Sequence, residues 1–153
     1  MTAMKVVVIG NGIGGFSAAS NIRHLDDNCE ITMISAEKTP LYSACVLPEY
    51  ISGKIRRENT FVKEESDYKR LGIHTLFGHE VEEIDAPAKK VTIDDGKALP
   101  FDRLVLATGS KAISLGESKK GVFKVKTLKD ADDIIAHEGR KAVVVGSGAI
   151  GIE

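Results

Sequence analysis

The apolar positions of the chain fall into continuous runs separated by a helical pattern. Val6–Ile9 is an unbroken β-branched run, and the segments 30–35 and 103–109 are similarly rich in apolar residues. Such runs are typical of parallel strands that are covered on both faces. Between the first two runs, apolar residues recur at helical spacing and predict a helix over residues 13–25 that packs on the sheet: Ile13, Phe16, Ala19, Ile22 and Leu25.

Short segments in which apolar and polar residues alternate follow the strand predicted over residues 72–77. Alternating segments at 81–84, 90–93 and 98–101 are separated by Asp85-Ala86-Pro87 and Asp94-Asp95-Gly96. Asp-Gly favours a hairpin turn, and Pro87 fits poorly in a central strand. The pattern predicts a three-stranded antiparallel meander inserted in an otherwise parallel unit. The predicted fold class is therefore α/β.

The first strand runs directly into a glycine motif of the G-x-G-x-x-G type at Gly10, Gly12 and Gly15. Glycines there let a diphosphate approach the backbone, and the free N–H groups at the start of the following helix stabilise an anion. Small residues after Gly15 permit close packing of helix on strand. Because a strand precedes the motif and a helix follows it, we interpret it as a dinucleotide site rather than an ordinary turn.

An acidic residue lies where such a site needs one. The second predicted strand leads to Glu37, 22 positions after Gly15. A carboxylate about 20 residues beyond the motif typically accepts hydrogen bonds from a ribose. Glu37 is therefore the predicted ribose ligand.

Composition and charge exclude several classes of function. The chain of 153 residues is 42% hydrophobic with a formal net charge of −1, which gives no electrostatic case for nucleic acid binding. No apolar run has the length of a membrane span, so we expect a cytoplasmic protein without a membrane partner. The four histidines show no ligand spacing and two cysteines do not make a disulfide scaffold, so no metal site is predicted.

Cys45 lies in the segment Tyr42-Ser43-Ala44-Cys45-Val46-Leu47-Pro48. Ser43 is a candidate N-cap and Pro48 fits an early helical turn, which places Cys45 near a helix N-terminus. A thiolate is favoured there, so the thiol is either redox-active or a small apolar residue in a packed turn. Cys29 opens a strand and is interpreted as structural.

The end of the chain repeats its beginning. An apolar run over residues 141–145, predicted as a strand, enters a second motif at Gly146, Gly148 and Gly151. We interpret the chain as a fragment with three parts: residues 1–111 form the N-terminal part of one nucleotide-binding domain, residues 112–140 connect with a helix, and residues 141–153 begin a second, truncated domain.

Two such motifs with Ala107-Thr108-Gly109 between them resemble the pyridine nucleotide-disulfide oxidoreductase family, and the resemblance covers essentially the whole chain. It implies a Rossmann-like FAD-binding domain followed by the start of an NAD(P)H-binding domain. It assigns three groups of residues to FAD: the first motif, with Gly10, Gly12, Ile13, Gly14 and Gly15, to the diphosphate; Glu37 and Lys38 to the adenosine ribose; and Val81, Ala107, Thr108 and Gly109 to the adenine and the flavin. Gly146, Gly148 and Gly151 are assigned to NAD(P)H.

Within this family the segment around Cys45 resembles the single-cysteine branch, which includes NADH oxidases, NADH peroxidases and coenzyme A-disulfide reductases. No second cysteine follows at the spacing used by the glutathione reductase branch. The resemblance implies that Cys45 is redox-active, that electrons pass from NAD(P)H through FAD to Cys45 and on to oxygen, peroxide or a small disulfide, and that the full-length protein is a homodimer. The fragment itself is expected to be inactive.

Two other functions stay open from the sequence. In the first, the protein reduces rubredoxin, ferredoxin or a similar acceptor and Cys45 is incidental. In the second, both glycine turns belong to a nucleotide-binding module without redox activity. Retention or loss of turnover after Cys45→Ser, and the colour of the protein with flavin, separate these functions.

Overall fold

The computed structural model describes residues 3–113, 119–139 and 141–152. Their α-helices and β-strands, in chain order, are β1 Lys5–Ile9, α1 Ile13–Leu25, β2 Glu30–Ser35, α2 Leu47–Ile51, α3 Glu65–Arg70, β3 Ile73–Phe77, β4 Val81–Asp85, β5 Lys90–Ile93, β6 Ala98–Pro100, β7 Arg103–Leu106, α4 Leu128–Ile135 and α5 Ala149–Ile152. Short 3₁₀ helices span Ala44–Val46 and Arg57–Thr60. The chain forms two compact units, one of residues 1–41 and 63–109 and one of residues 42–62 and 110–153.

The first unit contains the parallel sheet that the sequence predicts. Its strand order is β3-β2-β1-β7, and β1 pairs in parallel with both β2 and β7. Val6 and Val8 face a core that includes Phe16 and Ala19 of α1, whereas Val7 and Ile9 face a second core. The continuous apolar run of β1 is explained by these two cores, one on each face of the sheet.

The same unit contains the predicted antiparallel meander. β4, β5 and β6 form a separate sheet in that order, with antiparallel pairing throughout. Val91 and Ile93 are buried and pack with Val7 and Ile9 of the parallel sheet. The α/β class, the Rossmann-like parallel sheet and the inserted meander are therefore confirmed.

Two details of the predicted packing are wrong. α1 has the predicted bounds, but Ile13 and Leu25 at its ends are 69% and 88% exposed, because the buried stripe extends only from Gly15 to Ala19 with Ile22 at its margin. β7 was predicted as a buried strand, yet Leu106 is 63% exposed. Among the described residues β7 is the edge strand of its sheet, and so one side of it has no neighbouring strand.

The second unit is built around a small apolar cluster. Leu47 of α2 and Leu128 and Ala131 of α4 are buried together, with Tyr42 and Phe61 packed against them. Thr127 caps α4 by accepting a hydrogen bond from the Asp130 backbone N–H, and the Asp130 side chain accepts from Thr127 in return. The helix predicted in the connecting segment of residues 112–140 is therefore present, starting at Leu128.

The predicted strand over residues 141–145 is not formed, since the described residues 141–147 lie in no strand and Val143 is 91% exposed. A lone strand has no neighbour to bind its backbone groups.

The domain limits at residues 111 and 140 stay predictions, and part of the predicted connecting segment, residues 114–118 and 140, lies outside the described residues. In the part of the chain that the structure describes, no helix has both the length and the apolar character needed to cross a bilayer.

Candidate functional site

The first glycine turn is tightly closed at two of its positions. Gly10 has φ +108°, and a Cβ built on it would lie 2.1 Å from the carbonyl oxygen of Ala107. A Cβ built on Gly15 would lie 2.0 Å from the carbonyl oxygen of Gly10. Any larger residue at either position would displace backbone. The turn therefore needs glycine at Gly10 for its conformation and at Gly15 for close packing of α1 on the sheet.

The same turn is open between these positions. Gly12 and Gly14 are exposed, and a Cβ built on either has no atom within 4 Å. Gly12 is the N-cap of α1, whose first turn carries no acidic residue. The first N–H groups of a helix lack intrahelical acceptors and carry the positive end of the helix dipole. This shape fits a dinucleotide diphosphate, because the open space coincides with the N-terminus of α1 at Gly12.

The predicted ribose ligand lies beside this turn on the next strand. β2 is adjacent and parallel to β1, and the Gly10 N–H donates to the Ile34 carbonyl at 2.8 Å. Glu37 follows β2 and is exposed, and its carbonyl accepts from Gly78 N–H at 3.2 Å. The aliphatic part of Lys38 covers Gly78, where a built Cβ would lie 2.9 Å from Lys38 Cγ. The glycine turn and Glu37 therefore lie at the carboxyl edge of one sheet, where α/β folds bind nucleotides.

The remaining predicted residues of this unit follow other strands. Ala107 continues β7 at the same edge, donating its N–H to the Ile9 carbonyl at 2.8 Å, and Thr108 and Gly109 after it are exposed. Val81 is the first residue of β4, in the segment that follows β3 at this edge. The structure therefore places the predicted FAD residues at one sheet edge or in the segment leading from it, while their roles stay predictions.

Sequence reasoning missed a buried network behind this edge. The Tyr68 hydroxyl donates to Asn11 Oδ1 at 2.7 Å and accepts from the Leu41 N–H at 3.0 Å, and Asn11 Nδ2 donates to the Thr39 carbonyl at 3.2 Å. Burial raises the pKa of Tyr68, so its hydroxyl stays protonated and remains a donor at neutral pH. The position of Asn11 between two motif glycines was an available signal. No local pattern connects it with Tyr68, 57 positions away.

Cys45 belongs to the second unit, where it is exposed on the 3₁₀ helix Ala44–Val46. α2 begins at Leu47 with Pro48 in its first turn, as predicted. Ser43 occupies the N-cap position of this 3₁₀ helix in an extended conformation, as predicted, but its side chain makes no capping hydrogen bond. The backbone of Ser43 is held instead, because its N–H donates to the Thr60 carbonyl at 2.8 Å.

An ion pair joins the segment that carries Cys45 to α4. Asp132 accepts from Arg57 Nη2 at 3.1 Å and from the Tyr50 hydroxyl at 2.8 Å. Desolvation alone would raise the pKa of Asp132, but the hydrogen bonds from Arg57 and Tyr50 outweigh it and hold that pKa below its ordinary value. The Tyr42 hydroxyl, from the same segment, accepts from the Leu128 N–H at 3.1 Å.

The second glycine turn has the local shape of the first. Gly146 has φ +114°, and a Cβ built on Gly151 would lie 2.4 Å from the Gly146 carbonyl oxygen. A Cβ on Gly148 has no atom within 4 Å. α5 follows with four residues, Ala149–Ile152, all exposed.

Comparison with known proteins gives one family. The family model described as pyridine nucleotide-disulphide oxidoreductase matches residues 4–153. An NADH oxidase of Methanocaldococcus jannaschii is 35% identical over 163 residues, covering 98% of this chain and 36% of that protein. The ferredoxin–NAD(+) reductase component of the p-cumate 2,3-dioxygenase system of Pseudomonas putida is 32% identical, covering 97% of this chain and 38% of its own length.

A solved structure supports the same relationship. The water-forming NADH oxidase from Lactobacillus brevis, bound to NADH, superposes with a TM-score of 0.81 at 25% identity, covering 87% of this chain and 32% of that one. The chain thus spans roughly a third of the length of these similar proteins.

Proposed function

Because the chain belongs to the pyridine nucleotide-disulphide oxidoreductase family, we propose that its protein is an FAD-dependent NAD(P)H oxidoreductase and that this chain supplies the FAD-binding portion. One observation carries the proposal. The turn between β1 and α1 is closed by backbone at Gly10 and Gly15 and open at Gly12, where the helix presents its first N–H groups.

Several residues of this chain would hold the cofactor. The N–H groups from Gly12 onward bind the diphosphate, and the Glu37 carboxylate accepts hydrogen bonds from the adenosine ribose. Ala107, Thr108 and Gly109 line the flavin and the backbone of Val81 contacts the adenine. A flavin held by these residues would supply hydride acceptance from NAD(P)H and transfer of two electrons to the next acceptor.

The next acceptor in this proposal is Cys45. As a sulfenate, Cys45 takes up two electrons and two protons, releases water and becomes the thiolate; as a mixed disulfide, it takes up two electrons and one proton and releases the partner thiol. Peroxide reoxidises the thiolate to the sulfenate with release of water, and oxygen with one water molecule gives the sulfenate and peroxide. A small disulfide reoxidises it to the mixed disulfide and releases one thiolate. Two features support this role: the thiol is exposed, and its segment is held in place by Tyr42, Tyr50 and Arg57. The similarity to an NADH oxidase is consistent with oxygen or peroxide as the final acceptor.

The cofactor can be tested by colour. The full-length protein, expressed with ample flavin and purified, should be yellow and should oxidise NADH or NADPH. A colourless protein that gains no visible absorbance when FAD is added would contradict the proposal. It would favour a nucleotide-binding module without redox activity.

A second candidate function is the reduction of a small redox protein, with Cys45 incidental. It is favoured by the 32% identity to a ferredoxin–NAD(+) reductase component. Replacing Cys45 by serine separates the two candidates, because a thiol-dependent enzyme loses turnover while an electron-transfer reductase keeps it. Cys29→Ala, which removes the buried thiol, is the matched control and should leave turnover unchanged.

Three further parts of the proposal come from the sequence and the family. The second glycine turn at Gly146, Gly148 and Gly151 begins the NAD(P)H site, the full-length protein is a homodimer, and it works in the cytoplasm. Size-exclusion chromatography with light scattering tests the dimer directly.

A further inference from the structure

We propose that Tyr68 is a positioning residue for the cofactor site, acting through Asn11 to hold the diphosphate turn in place relative to the segment that follows Glu37. This inference rests on the proposed function, since it concerns the FAD site. It goes beyond that function because Tyr68 lies outside the glycine motif and neither Tyr68 nor the side chain of Asn11 is among the residues assigned to contact the cofactor.

The hydrogen-bond chemistry of Tyr68 fixes the direction of the whole network. A hydroxyl has one proton, and the Tyr68 oxygen already accepts from the Leu41 N–H at 3.0 Å. Its proton therefore goes to Asn11 Oδ1, 2.7 Å away. The amide nitrogen of Asn11 is then the end that faces the Thr39 carbonyl, at 3.2 Å. One orientation of the Asn11 side chain satisfies all three bonds.

The ring of Tyr68 is held as firmly as its hydroxyl. Tyr68 is 1% exposed and makes edge-to-face contacts with Phe16 at 5.2 Å and with Phe77 at 5.3 Å between ring centroids. Phe16 belongs to α1, which begins at the glycine turn, and Phe77 ends β3. The hydroxyl is thus fixed relative to the helix and the sheet that form the site.

The need for such a connection comes from the shape of the ligand. FAD has a fixed covalent spacing between its diphosphate and its adenosine ribose, so a site that binds both must keep two loops at a set separation. Ladder hydrogen bonds hold β1 to β2 as far as Ile9 and Ile34. Beyond that point, Asn11 lies in one loop and Thr39 and Leu41 in the other, and Tyr68 and Asn11 bridge them.

A double-mutant cycle on FAD affinity tests the inference. In the full-length protein freed of flavin, the dissociation constant of added FAD is measured by flavin fluorescence for wild type, Tyr68→Phe, Asn11→Ala and the double variant. Tyr68→Phe keeps the ring contacts and removes the hydroxyl. We expect each single variant to bind FAD about tenfold more weakly, as for loss of one buried hydrogen bond, and the double variant to be no weaker than either single one.

The control is Asn21→Ala, which removes an asparagine side-chain hydrogen bond to the Ser17 carbonyl on the exposed face of α1. It should leave FAD affinity unchanged. Circular dichroism and urea unfolding of each flavin-free variant separate affinity from folding, so a role confined to core packing would lower stability without changing the affinity of the folded protein. Asn11 is only half-buried. If Tyr68→Phe folds poorly, the FAD affinity of Asn11→Ala still tests the connection.

Each result has a distinct meaning. Wild-type affinity in Tyr68→Phe, or fully additive losses near a hundredfold in the double variant, would overturn the positioning role and leave the proposed function intact. A wild-type protein that binds no FAD would overturn both.

Discussion

Gly15 lies so close to Gly10 that a Cβ on the former would be 2.0 Å from the carbonyl oxygen of the latter. The contact is backbone to backbone, so no side-chain rotation can relieve it. It fixes the start of α1 against the end of β1, and the shape of the open turn between them depends on it.

Gly15→Ala should lower the free energy of unfolding by about 1–3 kcal/mol, the usual range for overpacking a buried site, because backbone must move. Gly14→Ala is the matched control. Gly14 is a neighbouring helical glycine whose Cβ would meet nothing within 4 Å, so alanine should leave stability unchanged or raise it slightly. Urea unfolding of the flavin-free proteins measures both, and equal destabilisation would contradict the packing role of Gly15.

Gly12→Ala should separate binding from stability. Gly12 has φ −78° and open space at its Cβ position, so the folded protein accommodates alanine. The added methyl group occupies the space through which a diphosphate reaches the helix N-terminus. We expect FAD affinity to fall at least about tenfold, equivalent to about 1.4 kcal/mol, with the urea midpoint unchanged. Unaltered affinity would place the diphosphate elsewhere.

Asp132 should make stability depend on pH. Its folded-state pKa is lowered, so its ion pair with Arg57 stabilises the fold above the ordinary carboxyl pKa of 3.8, and this contribution is lost as pH falls through the lower folded value. Both side chains are more than a third exposed, so we expect Asp132→Asn to cost no more than about 1 kcal/mol at pH 7. The cost should shrink toward pH 3, as followed by urea unfolding at both pH values.

Asp133→Asn is the matched control for Asp132. Asp133 is the next residue of α4 and pairs with Lys129 on the surface of the helix. Its replacement should change stability less than Asp132→Asn does at pH 7. If both variants lose the same stability, the hydrogen bonds from Arg57 and Tyr50 to Asp132 stabilise the fold no more than a surface ion pair does.

The two cysteines should differ sharply toward alkylating reagents. Cys45 is exposed, whereas Cys29 is 3% exposed and its thiol donates to the Asp26 carbonyl. Brief iodoacetamide treatment of the native protein, read by peptide mass spectrometry, should label Cys45 and spare Cys29. In urea both should react. Labelling of Cys29 in the native protein would contradict its burial.

The elements that local signals define were predictable from the sequence. The glycine turn and the apolar spacing after it gave the bounds of α1, and Asp95-Gly96 located the β5–β6 hairpin. These features depend on neighbours in the chain. Exposure of Leu25 and Leu106 was not predictable, because it depends on which elements pack at the ends of α1 and beside β7.

Contacts between distant residues account for the rest. Tyr50 and Asp132 are 82 positions apart. The residues around each of them in the sequence give no sign of this contact. The grouping of residues 42–62 with residues 110–153 depends on such pairs. The link from Tyr68 to Asn11 escaped prediction for the same reason, although both ends lie next to predictable elements.

The second glycine turn has a consequence for how such folds arise. Gly146 and Gly151 reproduce the close approach of Gly10 and Gly15, although residues 141–145 before them, as far as the structure describes the chain, lie in no strand. The same glycine spacing therefore gives the same local turn at a position where the preceding apolar run forms no strand. A turn set by its own glycines can be copied by duplication to a new position in a chain and keep its shape.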